Sequence, residues 1–431
     1  MRLRESSCAP GSGAGSLCDT KRAHGPTPPR GSTIWQMTSY DVVVVGSGVI
    51  GLSVAWRLAG SGRSVAIVDP HPATGASYAA AGMLAPVTEA TWGEEELAQL
   101  SLRSLARWPD FAAELTVASG LDVGLRQAGT LLVAADASDR AYLDDLLAYQ
   151  LHLGLAASWC PASECRRLEP SLAPGIRGGI LAPGDAQVDN RRLLGSLAEA
   201  VHRAGVRVVT ARAGLVTAAG AATGVVAEGE EIVAPLVVLA AGWASSSLDG
   251  LPAHAVPPVR PVKGQILRLL AHDGDAELTR TVRALVQGVP VYLVPRGDGR
   301  YVLGATSEER GVDTTVTAGA VYRLLRDAQR VFPGLGDLEL VETRAGLRPG
   351  SPDNAPLVGA TGLAGLVLAT GHYRNGVLLA PVTADAVCAL ADTGELPPWA
   401  HPFDPRRFAT PDVATGDVAT GDVATAGAAT S

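Results

Sequence analysis

The chain has 431 residues, 47% of them hydrophobic, and a formal net charge of −8 at pH 7. Its length permits a large core and more than one domain, and its acidic balance argues against nucleic acid or an anionic membrane as the main partner. The five cysteines form no CxxC and show no metal-ligand spacing, so we expect reduced thiols in a cytoplasmic protein without a metal site.

The two ends of the chain differ in composition from the part between them. Residues 1–36 are rich in Gly, Ser, Pro and basic residues and lack the apolar segment of a secretory signal, so we expect a disordered N-terminal extension or an over-long start before Met37. Residues 409–431 repeat Gly-Asp-Val-Ala-Thr and predict a disordered low-complexity tail. No apolar run approaches the roughly 18–20 residues that span a bilayer, so we expect no membrane association.

The first predicted elements form a βαβ unit. A β-branched strand over 40–45 leads into the glycines of 46–51, a helix with apolar residues at helical spacing follows, and a second strand over 65–68 ends in Asp69. This order of strand, GxGxxG, helix and acid is the dinucleotide-binding fingerprint. Asp69 is suited to accept hydrogen bonds from the adenosine ribose, although an acid at a strand end can also simply face solvent.

Each glycine of the fingerprint has its own physical role. Gly46 permits the sharp turn out of the strand, Gly48 lets the backbone approach a pyrophosphate, and Gly51 allows the helix to pack closely. The helix N-terminus presents unpaired N–H groups and a partial positive charge to the phosphates. The fingerprint does not separate NAD from FAD. The small residues of 77–83 suit a loop pressed against an extended flavin, and equally suit a tightly packed helix start.

Later strands indicate that the nucleotide-binding domain is discontinuous. The apolar runs 236–243 and 365–371 both end in glycine turns, far from the first unit. The segments between them carry helical patterns or alternating strand patterns, which predict a second domain that caps the first. In chain order, the predicted segments are nucleotide-binding at 37–90, substrate or cap at 91–180, nucleotide-binding at 181–255, substrate at 256–340 and nucleotide-binding at 341–408.

The sequence Gly-His-Tyr-Arg-Asn-Gly-Val-Leu-Leu-Ala-Pro at 371–381 is the most informative stretch outside the fingerprint. It follows an apolar run, so it predicts a strand that leads through a glycine-bounded turn into a helix. Arg374 in that turn, together with free N–H groups at the helix start, suits an anionic substrate group and an electron-rich ring. With the fingerprint, it indicates oxidation of a compound that carries a carboxylate.

The fingerprint and four further motifs together resemble the glycine oxidase family, FAD enzymes of the D-amino-acid oxidase superfamily that serve thiamine thiazole synthesis. The resemblance covers about residues 40–400. It implies an α/β fold of two domains: a glutathione-reductase-like FAD-binding domain assembled from discontinuous segments, and an α+β substrate domain with a mixed or antiparallel sheet. The four motifs are AAAGM at 79–83, PVKGQ at 261–265, AGLRPG at 345–350 and the stretch at 371–381, the last two being the specific ones.

The resemblance assigns three side chains to the substrate site. Arg348 falls on the family's carboxylate-binding arginine, Arg374 on its second substrate-contacting arginine, and Tyr292 on its active-site tyrosine. The planar fork of an arginine can hold a carboxylate with two parallel hydrogen bonds, which agrees with this role for Arg348. Arg374 could instead pack near the flavin, and Tyr292 could be a core tyrosine with a wet hydroxyl. For Lys263 and His372, orienting or structural roles are as plausible as chemistry.

The resemblance also implies a set of flavin contacts. Asp69 stands where a longer Glu is common in the family, and Tyr78 where a small polar residue is usual, so the contacts of these two positions differ from the family pattern. The residues expected to bind the cofactor are Gly46, Gly48, Val49, Ile50, Gly51, Asp69, Pro70, Ser77, Ala81, Gly82, Met83, Ala213, Gly242, His372, Tyr373, Arg374, Asn375, Gly376, Val377 and Leu378.

These assignments predict a flavin enzyme that oxidises glycine or another small amino acid. Arg348 would pair with the carboxylate, and no His or carboxylate stands out as a general base, which hydride transfer from a neutral amine does not require. FAD is expected to bind non-covalently, because no Cys or His lies in an evident attachment motif. With oxygen as acceptor, the products would be hydrogen peroxide and an imine that hydrolyses to glyoxylate and ammonia or passes to thiazole synthesis. The oligomeric state stays open.

Several alternatives stay open at the level of sequence. The nearest is another flavin amine oxidase or D-amino-acid dehydrogenase of the same superfamily, acting on sarcosine, proline or a D-amino acid, because the pocket volume depends on the placement of side chains. A dehydrogenase that reduces a membrane quinone is disfavoured by the lack of a basic amphipathic stretch. An NAD-dependent dehydrogenase is disfavoured by the discontinuous later strands, and a flavin-binding protein without turnover by the two arginines in flavin-side motifs.

Overall fold

The computed structural model describes residues 36–252 and 255–408, and these belong to one compact unit. The predicted N-terminal extension at 1–36, except for its last residue, and the predicted tail at 409–431 lie outside the described residues. Within the described residues, no helix combines the length and the apolar character that crossing a membrane would require.

Strands and α-helices both occur along the whole described part of the chain. The strands are β1 (Gln36–Ser39), β2 (Val42–Val45), β3 (Val65–Val68), β4 (Met83–Leu84), β5 (Thr130–Ala134), β6 (Ser158–Cys160), β7 (Gly179–Ala182), β8 (Ala186–Gln187), β9 (Arg207–Val209), β10 (Gly214–Ala218), β11 (Ala221–Ala227), β12 (Glu230–Val233), β13 (Leu236–Leu239), β14 (Arg260–Leu270), β15 (Thr281–Val286), β16 (Val289–Pro295), β17 (Arg300–Gly304), β18 (Glu339–Gly350), β19 (Leu357–Ala360) and β20 (Leu366–Thr370). The α-helices are α1 (Val49–Gly60), α2 (Ala76–Ala79), α3 (Glu95–Ser119), α4 (Ala137–His152), α5 (Ala162–Leu168), α6 (Asn190–Arg203), α7 (Ala318–Val331) and α8 (Ala380–Thr393).

A six-stranded sheet in the order β19-β20-β13-β2-β3-β9 carries the nucleotide fingerprint. All its neighbouring strands are parallel except the β19–β20 pair. Strand β2 consists of four buried valines, as expected for a central parallel strand covered on both faces. Helices α1, α3, α6 and α8 pack together on one face, and the sheet β1-β12-β11-β10 covers the other. The predicted assembly from separated segments is thereby confirmed as part of the fold class.

The second large sheet is mixed and has eight strands in the order β18-β14-β17-β16-β15-β5-β7-β6. Its β15–β5 pair is parallel and the other pairs are antiparallel. Helix α7 packs on this sheet through a core that contains Leu324, Ala328 and Val331. The structure thus has the predicted mixed sheet of an α+β substrate domain.

One helix departs from the predicted division into segments. Helix α3 lies within 91–180, the first predicted substrate segment, yet it packs against α6 and α8. Its buried residues Trp108, Phe111 and Leu115 belong to the same core as those of α1. A long amphipathic helix buries its apolar face against whichever neighbour offers an apolar surface, and the sequence does not name that neighbour. The exact domain boundaries stay a prediction.

Candidate active site

A cavity of about 570 Å³ gathers the residues predicted from the motifs. Every predicted cofactor or substrate residue lines it except Gly51 and Leu378. A side chain on Gly51 would collide with the carbonyl oxygen of Gly46, so this glycine serves the packing of α1. Leu378 is buried, and its carbonyl accepts a hydrogen bond from Nε1 of Trp108 at 2.9 Å. These two residues therefore support the residues that line the cavity without lining it themselves.

The fingerprint forms one end of the cavity. Gly46 has φ +103°, and a Cβ there would lie 2.5 Å from the carbonyl oxygen of Ala240, so only glycine fits this turn. Helix α1 begins after Gly48, and its first N–H, that of Val49, donates to Oγ of Ser77 at 3.0 Å; Gly48, Val49 and Ile50 all line the cavity. Asp69 is fixed at the end of β3, where its carboxylate accepts hydrogen bonds from the N–H groups of Ser47 at 2.6 Å and His71 at 2.7 Å.

The eight-stranded sheet forms the opposite end of the cavity. Antiparallel pairing sets Arg283 beside Tyr292 and Tyr292 beside Gly304. Two strands further along, Arg348 pairs with Val262, two residues from Gly264. Because paired residues on neighbouring strands point to the same side, the two arginines and the tyrosine share one face of the sheet.

Two glycines on this face leave the space that the functional side chains fill. A Cβ on Gly264 would lie 2.5 Å from Cζ and Nη1 of Arg348. A Cβ on Gly304 would lie 2.5 Å from Cζ of Tyr292. The guanidinium and the phenol ring therefore rest directly on glycine backbone, where a larger residue would push them away. The glycine of the PVKGQ motif is explained by this contact with Arg348.

Arg348 and Tyr292 form the centre of a positively charged pocket. Nη1 of Arg348 donates a hydrogen bond to the carbonyl oxygen of Thr306 at 3.0 Å. Burial lowers the pKa of Arg348 below its usual range, although an arginine stays protonated at neutral pH. Burial also raises the pKa of Tyr292, and the nearby charges of Arg348, Arg283 and Arg374 oppose this rise. An anion that entered this pocket would meet the positive charges of Arg348, Arg283 and Arg374.

The turn that begins at Gly371 is attached to the end of β18. The N–H of Tyr373 donates to the carbonyl oxygen of Pro349 at 2.9 Å, so the turn and Arg348 hold a fixed relation. Tyr373 has φ +47°, an uncommon conformation for a residue with a side chain. Helix α8 begins at Ala380, so the predicted strand, turn and helix are all present. The turn presents Arg374 and Asn375 to the cavity.

Two polar residues of the motifs serve the structure. His372 is buried, its Nε2 lies 2.9 Å from Oγ1 of Thr383, and burial lowers its pKa to about 3, so the ring is neutral. Lys263 is fully buried, and its Nζ forms an ion pair with Asp313 at 2.6 Å. Lys263 is not among the residues that line the cavity, because its side chain leaves β14 on the other face from Gly264.

The motifs did not reveal two charged residues of the cavity. Arg283 lies on β15, within an apolar strand, and burial lowers its pKa to about 10. It forms an ion pair with Glu89, which also lines the cavity. An arginine flanked by Val282 and Ala284 is the signal that could have indicated a site residue. Glu89 follows the AAAGM motif by six positions and carries no such signal, so reasoning from the sequence missed a carboxylate that the structure places beside the arginines.

The cavity thus joins a dinucleotide fingerprint to a cluster of arginines, of which Arg283 and Arg348 are half-buried and Arg374 is exposed. This combination defines a dinucleotide-binding protein of two domains with a positively charged pocket. A family model described as FAD dependent oxidoreductase (DAO) matches residues 41–390. The chain belongs to this family.

Individual relatives agree with the family assignment. The bifunctional protein ThiO/ThiG of Synechocystis sp. is 35% identical over 379 residues, which cover 86% of this chain and 55% of that protein. Glycine oxidase of Geobacillus kaustophilus is 33% identical over 83% of this chain and 94% of that enzyme. The crystal structure of glycine oxidase from Geobacillus kaustophilus matches with a TM-score of 0.79 at 32% identity, covering 86% of this chain and 99% of that one. The chain spans about half the length of the ThiO/ThiG proteins that it matches.

These comparisons confirm the predicted resemblance, the fold class and FAD as the cofactor. The cavity also fits FAD on its own geometry. The glycine turn and the N-terminus of α1 suit the pyrophosphate, and the anchored carboxylate of Asp69 lies where the ribose is expected. The cavity continues from there to Tyr292 and Arg348, and its part between the fingerprint and the arginines would hold the flavin ring.

Proposed function

We propose that the chain oxidises glycine, or a similarly small amino acid, with bound FAD and with oxygen as the final acceptor. The product would be an imine that hydrolyses to glyoxylate and ammonia, with release of hydrogen peroxide. The observation that carries the proposal is the position of Arg348, which rests on Gly264 and reaches into the cavity that also contains the nucleotide fingerprint. The relatives named glycine oxidase support the choice of substrate.

The chain's own residues would act by positioning the substrate. Arg348 would hold the substrate carboxylate with two parallel hydrogen bonds, which fixes both the place and the orientation of the carbon next to it. Tyr292 would border the other side of the pocket and leave little room for a large side chain. Bound FAD would supply the two-electron acceptor for the C–H bond. A well-oriented substrate needs no further covalent chemistry from the protein.

The flavin contacts also belong to this proposal. The loop at 77–83 and the turn at 371–377 would enclose the ring. The expected free N–H groups at the start of α8 are not available for it, because Leu379 and Ala380 donate to the carbonyl oxygens of Asn375 and Val377 and do not line the cavity. The positive charge of Arg374 would instead favour negative charge on the ring. Arg374 would contact the substrate or the ring from this turn. The expected contacts by Pro70, Ala213 and Gly242 are supported by their place in the lining of the cavity.

We further propose that the product serves thiazole formation in thiamine synthesis. The support is the similarity to bifunctional ThiO/ThiG proteins over most of this chain. A hand-off of the imine to a thiazole synthase would shorten the time in which it hydrolyses. Coupled assays with and without a synthase, read as glyoxylate released per peroxide formed, would test the hand-off.

The first experiment is to record the visible spectrum of the purified protein and then to add glycine without oxygen. Rapid bleaching of the flavin is expected. If glycine leaves the spectrum unchanged while sarcosine, proline or a D-amino acid bleaches the flavin, the substrate is that other amino acid.

Arg348→Ala should weaken transition-state binding of glycine by about 2–5 kcal/mol. Arg323→Ala, on the exposed face of α7, is the matched control and should behave as the wild type. Normal turnover of glycine by Arg348→Ala would refute the site.

A further inference from the structure

Glu89 is the one carboxylate at the substrate end of the cavity within the described residues. The acidic residues that line the cavity over its whole length are Asp69, Glu89 and Asp249. Asp69 is bound to the fingerprint through Ser47, and the backbone carbonyl of Asp249 accepts a hydrogen bond from the N–H of Leu215 at 2.7 Å, away from the eight-stranded sheet. Glu89 instead contacts Arg283, which pairs with Tyr292 on the sheet face that holds Arg348.

The loop that carries Glu89 is held rigidly by buried polar groups. The carboxylate of Asp185 accepts hydrogen bonds from the N–H of Val87 at 3.1 Å and from the hydroxyl of Thr88 at 2.7 Å. Nε2 of Gln150 donates to the carbonyl oxygen of Val87 at 2.9 Å. Asp185 and Gln150 are fully buried, so their hydrogen bonds hold the two residues before Glu89 in place. Glu89 thus reaches the cavity from a loop that buried hydrogen bonds hold in place.

The charges at this end of the cavity are complementary to a zwitterion. Arg348 and Arg374 have no carboxylate partner among the ion pairs of the described residues, whereas Arg283 is paired with Glu89. An amino acid brings one carboxylate and one ammonium group to the site. If the carboxylate occupies Arg348, the ammonium needs an acceptor, and a buried ammonium without one is costly.

We propose that Glu89 binds the amino group of the substrate and that Arg283 is the positioning residue that holds Glu89. This inference rests on the proposed function and extends it to a two-point recognition of the amino acid. Arg348 selects for a carboxylate, and Glu89 selects for a cationic nitrogen on the neighbouring carbon. The pair would therefore favour amino acids over hydroxy acids of the same size, since a hydroxyl gains much less from a charged acceptor.

The test compares two ligands that share a carboxylate and differ in the second group. Glycine carries the ammonium group, and glycolate carries a hydroxyl in its place. In Glu89→Gln, the KM for glycine should rise about 10- to 100-fold, while the Kd of glycolate, measured from the perturbation of the flavin spectrum, should stay within about threefold of the wild type. Glu96→Gln, exposed on α3, is the matched control and should change neither value.

The outcomes separate this inference from the function on which it rests. An unchanged KM for glycine in a Glu89→Gln protein that retains its flavin would refute the role of Glu89 alone. A parallel rise of the KM for glycine and the Kd of glycolate would also refute it, because it would indicate a general loss of the pocket. If Glu89→Gln does not retain flavin, Glu89→Asp replaces it, because it keeps the charge and withdraws it by one methylene. It should likewise raise the KM for glycine and leave the Kd of glycolate unchanged. If glycine does not reduce the flavin of the wild-type protein, both proposals are overturned.

Discussion

The substitution Gly264→Ala tests the link between one glycine and the substrate arginine. A Cβ at residue 264 would lie 2.5 Å from Cζ and Nη1 of Arg348, whereas carbon atoms in contact lie about 3.5–4.0 Å apart. The guanidinium must therefore retreat by about 1 Å or more, and its hydrogen bond to the carbonyl oxygen of Thr306 at 3.0 Å must lengthen or break. The rest of the arginine can adjust, because the obstructed atoms are the far end of a flexible side chain.

The expected result is a loss of substrate binding without a loss of the fold. A displacement of about 1 Å in a positioned group can cost about 100-fold in rate, which corresponds to about 2.7 kcal/mol. We expect kcat/KM for glycine to fall by about this factor, mainly through the KM, because Arg348 holds the substrate before and during the reaction. Peroxide release over a range of glycine concentrations gives both constants, and the visible spectrum gives the flavin content.

A matched glycine controls for the added methyl group. Gly195 lies in α6 with no other atom near the position of a Cβ, so Gly195→Ala should keep the wild-type kcat/KM. It should also stabilise the helix by about 0.5–1 kcal/mol. A Gly264→Ala protein that contains a full complement of flavin and has a wild-type KM for glycine would show that Arg348 is not the carboxylate anchor.

Three further predictions follow from the same site. In Gly304→Ala the new Cβ would lie 2.5 Å from Cζ of Tyr292, so Tm should fall. The same substitution should lower Tm less in a Tyr292→Ala background, where the ring is absent, and an equal fall in both backgrounds would contradict this contact. Burial lowers the pKa of His372 to about 3, below its unfolded value of 6.5, so its neutral form stabilises the fold above pH 6.5 and this contribution is lost as the pH falls below that value. Between pH 7 and pH 5, His372 should therefore lower the free energy of unfolding by about 2 kcal/mol. Urea unfolding at the two pH values should show this loss in the wild type and not in His372→Gln, and an equal pH dependence of both proteins would be evidence against it. Acid precipitation should release the yellow cofactor into the supernatant, and colour retained in the pellet would indicate a covalent bond.

The local parts of the nucleotide site follow from sequence alone. The strand, the glycines of 46–51, the helix and Asp69 are consecutive, so their geometry is set by short-range sterics and the ends of α1 and β3. The turn after Gly371 is local in the same sense. That turn and the fingerprint already indicated a substrate with a carboxylate. The family resemblance added FAD and assigned Arg348 and Tyr292 to the site, and both line the cavity of the structure.

The tertiary structure alone decided which distant residues meet. Arg283 reaches the pocket through the pairing of β15 with β16, and Glu89 through a loop held by Asp185, almost a hundred positions further along the chain. Helix α3 joined the core of α1 instead of the predicted substrate segment. Motifs report what a short stretch of backbone can do, whereas strand register and packing depend on the whole chain, so the composition of the charged pocket could not be read from any one segment.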